Sequence, residues 1–160
     1  MLLKQILEQR RIYYVDGQMS KKRVLELICS MLAQSIEGAD AKTLFQLFIE
    51  REKLGSTAIG HGIAIPHIRS DLVSKTIGVF IVLEQGIEFD SPDNQPVNLF
   101  FALVAPENAA QDHLQSLKQI SQLLSDKTFR EKILNCKDSD ELRQLILARL
   151  DQTEELSHVQ

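Results

Sequence analysis

Between Ser20 and Ile36 the apolar side chains Val24, Ile28, Met31, Leu32 and Ile36 return at helical spacing. Ser20 is placed to cap the start of this predicted helix and Gly38 to stop it. Asp40 opens a second helical stretch, with Ala41, Leu44, Phe45 and Phe48 as its apolar stripe, which should end before Gly55. The pattern then changes. "TIGVFIVL" (Thr76 to Leu83) and "VNLFFALVAP" (Val97 to Pro106) are nearly unbroken apolar runs bounded by turn residues, as in strands buried on both faces, so helices must cover both sides of the sheet. "FDSPDNQP" between them is a turn cluster. "RIYYV" (Arg11 to Val15) and "GIAIP" (Gly62 to Pro66) are shorter strand candidates, with Pro66 confining its strand to an edge or an end.

Helical spacing returns over Ala109 to Leu124, Lys127 to Leu134 and Ser139 to Leu150, with Asp138 and Glu141 as a capping box for the last. The tail 151–160 lacks apolar periodicity and is expected to be flexible. The layout predicts a single α/β domain over residues 1–150, without internal repeats.

Composition narrows the function classes. At 160 residues, 44% hydrophobic and 25% charged, the chain has the make-up of an ordinary globular domain. A net charge of −4 with scattered basic residues argues against nucleic acid as a partner. The apolar runs fall well short of the roughly 20 residues a spanning helix needs, so no membrane insertion is expected. Lys4 and Gln5 interrupt what would have to be the apolar core of a signal peptide, which points to the cytoplasm. Cys29 and Cys136 form no C-x-x-C motif and read as reduced, structural thiols.

The chemistry concentrates in "GSTAIGHGIAIPHIRS", Gly55 to Ser70. His61 and His67 are spaced like neither a zincin nor a finger motif, so metal is not the favoured reading. His67 follows a proline, which stiffens the backbone carrying its ring. A neutral imidazole there is a competent nucleophile near pH 7; the alternative is a strand-end histidine in a turn. His113 falls on the stripe Ala110, His113, Leu114, Leu117, Ser121, Leu124 near the start of a helix. It is either a buried histidine satisfied by a backbone carbonyl or a neutral donor to an anion at the helix terminus. Arg51, in the last turn of the second helix, either complements the dipole or brings a guanidinium to a phosphate. Gly55, Gly60 and Gly62 with Ser56 and Thr57 make turns, or a loop that a phosphate oxygen can approach.

The longer stretch "REKLGSTAIGHGIAIPH" resembles the signature of enzyme IIA proteins of the mannitol/fructose class of the bacterial phosphoenolpyruvate-dependent phosphotransferase system. The similarity continues through "DNQPVNLFFALVAP", "HLQSLKQISQLLSD" and "SDELRQLI". It implies a mixed sheet between helical layers, hence a three-layer α/β/α sandwich with a central mixed sheet of about five strands. It also implies that His67 accepts a phosphoryl group on Nε2 from a histidine-containing phosphocarrier protein, with Arg51 and His113 flanking it. Phosphoryl transfer needs mainly positioning and electrostatics, so neither ATP, metal nor cofactor is expected. Ser56 and Thr57 are then candidate phosphate-binding residues, donating hydroxyl or backbone hydrogen bonds to it.

Within the family the chain looks most like the stand-alone nitrogen-regulatory branch, which implies regulation of partner proteins of the nitrogen/potassium type. The alternatives are a IIA component passing phosphate to a IIB protein for fructose- or mannitol-type uptake, and an interaction module with an unused site. Ala58 stands where the family usually has Gly, which disfavours a positive φ there.

Overall fold

The two helices read from spacing and caps over residues 20–54 form where those caps permit. The structure, a computed structural model, describes residues 3–159. After a short α1 (Leu3–Ile6), one turn of 3-10 helix and β1 (Ile12–Val15), helix α2 spans Lys21–Ser35 and α3 spans Ala41–Lys53. Ser20 Oγ accepts from the Arg23 N–H and the Asp40 carboxylate from the Lys42 N–H, satisfying donors that each helix start leaves free. Gly38 stands between them at φ 78°.

The remaining elements are β2 (Ala58–Gly60), β3 (Ile63–Ala64), β4 (His67–Arg69), β5 (Ile77–Ile87), β6 (Val97–Ala105), α4 (Ala110–Leu124), α5 (Lys127–Leu134) and α6 (Ser139–Val159). The sheet is mixed, in the order β1-β5-β6-β3-β2, with β4 also on β6. β1 runs parallel to β5, β5 antiparallel to β6, and both β3 and β4 parallel to β6. Six strands take part rather than about five, because the chain resumes pairing beyond Pro66. Ile63 and Ala64 face Leu99 and Phe100, while His67, Ile68 and Arg69 face Leu103, Val104 and Ala105, one constant offset throughout. Pro66 has no N–H for the ladder but its carbonyl accepts from Leu103, so the proline interrupts a strand without shifting its register.

Alternation along β5 and β6 divides the core. Val79, Ile81, Leu83, Phe100, Ala102 and Val104 pack beneath α2 and α3. Phe80, Val82, Leu99, Phe101 and Leu103 pack against α1, α4, α5 and α6 on the other face. The architecture is therefore α/β/α. The outer edge of β1 is closed by α6: Ser139 Oγ accepts from the Tyr14 N–H and Arg143 Nε donates to the Ile12 carbonyl.

Helix α6 runs through 151–159, the segment set apart as a tail in the sequence. That stretch has no Gly or Pro to break a helix already under way. Gln160 lies outside the described residues. Ala58 sits in a strand, and it is not among the residues with positive φ.

Candidate functional site

His67 opens β4 immediately after Ile65-Pro66, and its Nδ1 lies 2.7 Å from the Ile65 carbonyl oxygen. A carbonyl oxygen only accepts, so Nδ1 carries the proton and Nε2 keeps the lone pair. Burial lowers the pKa of His67 from its ordinary value; the Ile65 hydrogen bond pulls the other way, the Arg51 charge lowers it further, and Glu52 raises it. The ring is thus held neutral near pH 7, in one tautomer.

His113 reaches the same place from the opposite layer. It lies in the first turns of α4, is 7% exposed, and its ring centroid is 5.2 Å from that of His67 with the planes tilted by 52°. Its pKa is pushed down to about 4, first by burial and then by His67 and Arg69. Its Nδ1 is buried with no hydrogen-bonding partner. Two neighbouring imidazoles are therefore both neutral, which avoids the repulsion two imidazolium rings would suffer. The α4 start has no side-chain cap, so its first N–H groups are uncommitted to side chains.

A depression of about 390 Å³ is lined by Arg51, His67, Arg69, Ala110, His113 and Leu114, among others. A second, broader one on the α3 side is lined by Leu47, Glu50, Arg51, Leu54, His67, Arg69 and Glu107, again among others. His67 and the two arginines belong to both. Arg51 comes from the last turn of α3, where its Nη1 donates to the Gly55 carbonyl at 2.9 Å. The sequence placed Arg51, His67 and His113 as candidates, and these three line one depression.

Arg69 was not among them. It follows His67 by two residues in β4, so strand alternation puts both side chains on one face, and a strand continued past Pro66 would have revealed it. The stripe read along α4 also differs from the buried one. His113, Ser116, Ile120, Leu123 and Leu124 are buried, whereas Leu114 is 66% exposed and lines the depression beside the imidazoles.

Ser56 and Thr57 are occupied elsewhere. Ser56 Oγ donates to the Phe89 carbonyl at 2.7 Å and accepts from the Ala58 N–H. Thr57 is buried, and its hydroxyl donates to Glu52. Neither residue lines the two depressions that hold His67. His61 sits at φ 58° in the β2–β3 turn with its N–H on Asp93, away from these depressions. Among the described residues no group of three or more His, Cys, Asp or Glu side chains comes together to hold a metal ion, and no helix is long and apolar enough to cross a membrane. Cys29 and Cys136 are both free and buried.

Residues 5–149 match the family model described as the phosphoenolpyruvate-dependent sugar phosphotransferase system, EIIA 2. A nitrogen regulatory protein of Pseudomonas aeruginosa is 39% identical over 146 residues, 91% of this chain and 94% of that protein. The nitrogen regulatory protein of Escherichia coli is 41% identical over 129 residues, covering 79% of this chain and 78% of its own. The crystal structure of the nitrogen regulatory protein IIA-Ntr from Neisseria meningitidis superposes with a TM-score of 0.81 at 35% identity, over 89% of this chain and 97% of that one.

Proposed function

The chain belongs to the EIIA 2 family of the phosphoenolpyruvate-dependent sugar phosphotransferase system, and from that premise we propose that His67 carries a phosphoryl group on Nε2 and that partner proteins distinguish the charged from the uncharged form. The observation that carries this reading is the Nδ1–H bond to Ile65, which leaves the Nε2 lone pair on a ring lining a depression with two arginines.

The donor in this reading is a histidine-containing phosphocarrier protein. The Nε2 lone pair forms a bond to phosphorus while the donor's N–P bond breaks and its electron pair returns to the donor nitrogen. The His67 proton stays on Nδ1 throughout. Negative charge spreads over the peripheral oxygens in a loose, in-line transition state. Arg51 and Arg69 line the depression where that charge would develop, and a neutral His113 is suited to donate from Nε2 rather than compete for a proton. The uncapped start of α4 adds N–H groups of the right sign. Ile65 and Pro66, which lead directly into His67, are buried, and apolar residues there restrict water near a labile phosphohistidine.

The exposed Leu54 and Leu114, 85% and 66% accessible, each line one of the two depressions that hold His67. An apolar rim around a site that gains about two negative charges is a surface whose affinity for a partner must change with phosphorylation. Relatives named nitrogen regulatory proteins support partner regulation as the role. The competing role within the family is passage of the phosphoryl group to a IIB protein for sugar uptake. Incubating the phosphorylated chain with a fructose- or mannitol-type IIB protein separates the two. Retention of the group, together with phosphorylation-dependent capture of a non-permease partner, supports regulation; rapid transfer to IIB overturns it.

A further inference from the structure

We propose that Glu52 is a positioning residue for His67, acting through Thr57 and Ile65 to fix the tautomer and aim of the imidazole. The proposal rests on the reading of His67 as the phosphoryl acceptor for its consequence, but not for its geometry. Glu52 lies in the last turn of α3 beside Arg51, and its side chain is 5% exposed. A buried carboxylate needs hydrogen bonds or a counter-charge, and a negative charge at a helix C-terminus is opposed by the macrodipole. Helix stability alone therefore gives no reason for an acid here.

Its partners point along one path. Thr57 Oγ1 donates to one carboxylate oxygen and the Thr57 N–H to the other at 3.3 Å, while Lys21 Nζ stands 3.7 Å away. The Thr57 carbonyl accepts from the Ile65 N–H at 3.0 Å, and the Ile65 carbonyl accepts from His67 Nδ1–H at 2.7 Å. Pro66 fixes φ between those last two residues, so few soft torsions separate the Thr57 anchor from the ring. The carboxylate thus holds one end of a hydrogen-bonded chain whose other end decides which histidine nitrogen is the nucleophile. Arg51 grips the same loop at Gly55, so adjacent residues of one helical turn supply a phosphate-facing cation and the anchor for the nucleophile.

The alternative is that Glu52 only steadies the loop and pairs with Lys21. Long-range proton–nitrogen correlation spectra of the full chain, recorded for wild type, Glu52→Gln, Thr57→Val and Thr57→Ser, distinguish them by reporting the His67 tautomer directly. Phosphoryl uptake from the phosphorylated phosphocarrier is measured in parallel. Wild type and Thr57→Ser, which keeps the hydroxyl, are expected to hold the proton on Nδ1. Glu52→Gln and Thr57→Val should show a mixture of tautomers and uptake slowed about tenfold, the scale of lost support for a site ligand. A wild-type tautomer in both variants overturns the proposal, whether uptake is unchanged or falls only with the folded fraction. Equal loss in Thr57→Ser and Thr57→Val also overturns it. Failure of wild type to take up phosphoryl groups refutes the carrier reading instead, while the tautomer spectra still decide the role of Glu52.

Discussion

The proton on His67 Nδ1 is held by the carbonyl of Ile65, 2.7 Å away and only two residues back along the chain. Because Pro66 lies between them, the contact is conformationally restricted: Ile65 and Pro66 supply the acceptor and a stiff link to the ring, and the Ile65 N–H bond to Thr57 anchors that link to the loop. Pro66→Ala adds an N–H and frees φ. We expect this variant to fold with a stability change within about 2 kcal/mol and to take up phosphoryl groups several-fold more slowly. Stopped-flow or quenched uptake alongside a denaturant melt checks both parts.

The depressed basicity of His113 sets a pH dependence of stability. The unfolded chain binds a proton near pH 6.5, whereas the folded chain does not until about pH 4. Between those values the unfolded state holds more protons, so stability falls as pH falls through that window and is level above it. Acidification from pH 7 to pH 5 should cost up to about 2 kcal/mol through His113, with His67 adding in the same direction. His113→Gln should flatten this slope. Melting temperatures of both proteins across pH 5–8 measure the difference.

Arg51 is half-buried and donates to the Gly55 carbonyl, so its removal should leave the fold intact at a cost of about 1 kcal/mol. If its guanidinium meets developing phosphoryl charge, Arg51→Ala should slow uptake by about 10- to 100-fold and Arg51→Lys should restore only part. Unchanged uptake kinetics in Arg51→Ala would leave it as a helix-end cation.

Far from the site, Arg11 tests the fold alone. Buried beneath the sheet edge, it donates from Nε to the Gly78 carbonyl, from Nη2 to the Ile6 carbonyl and from Nη1 to Ser35. Arg11→Met leaves these acceptors without a donor and should cost about 2–4 kcal/mol. Chemical denaturation measures the loss, and uptake per folded molecule should be unaffected.

The helix ends were the most legible part of the sequence, because Ser20, Asp40 and Asp138 carry their capping chemistry in their own side chains. The long strands were legible from continuous apolar runs. β4 was hidden by Pro66, which marks a strand end by every local rule, although its register survives across the break. That omission concealed Arg69. Ser56 and Thr57 show what local pattern leaves out: hydroxyls beside glycines suggest phosphate contacts, and their hydrogen-bond partners in the structure, Phe89 and Glu52, are set by tertiary packing. Leu114 reads as core by spacing and emerges on the surface, because apolar periodicity along a helix does not say where the neighbouring layer stops covering it.

The central claim is that one nitrogen of one residue, Nε2 of His67, accepts the phosphoryl group. Its most direct test is intact mass measurement after incubation with phosphoenolpyruvate, enzyme I and the phosphocarrier. Wild type should gain the mass of one phosphoryl group, lost again in acid as expected for phosphohistidine, and His67→Ala should gain none. No gain in wild type, or an equal gain in His67→Ala, would contradict the account.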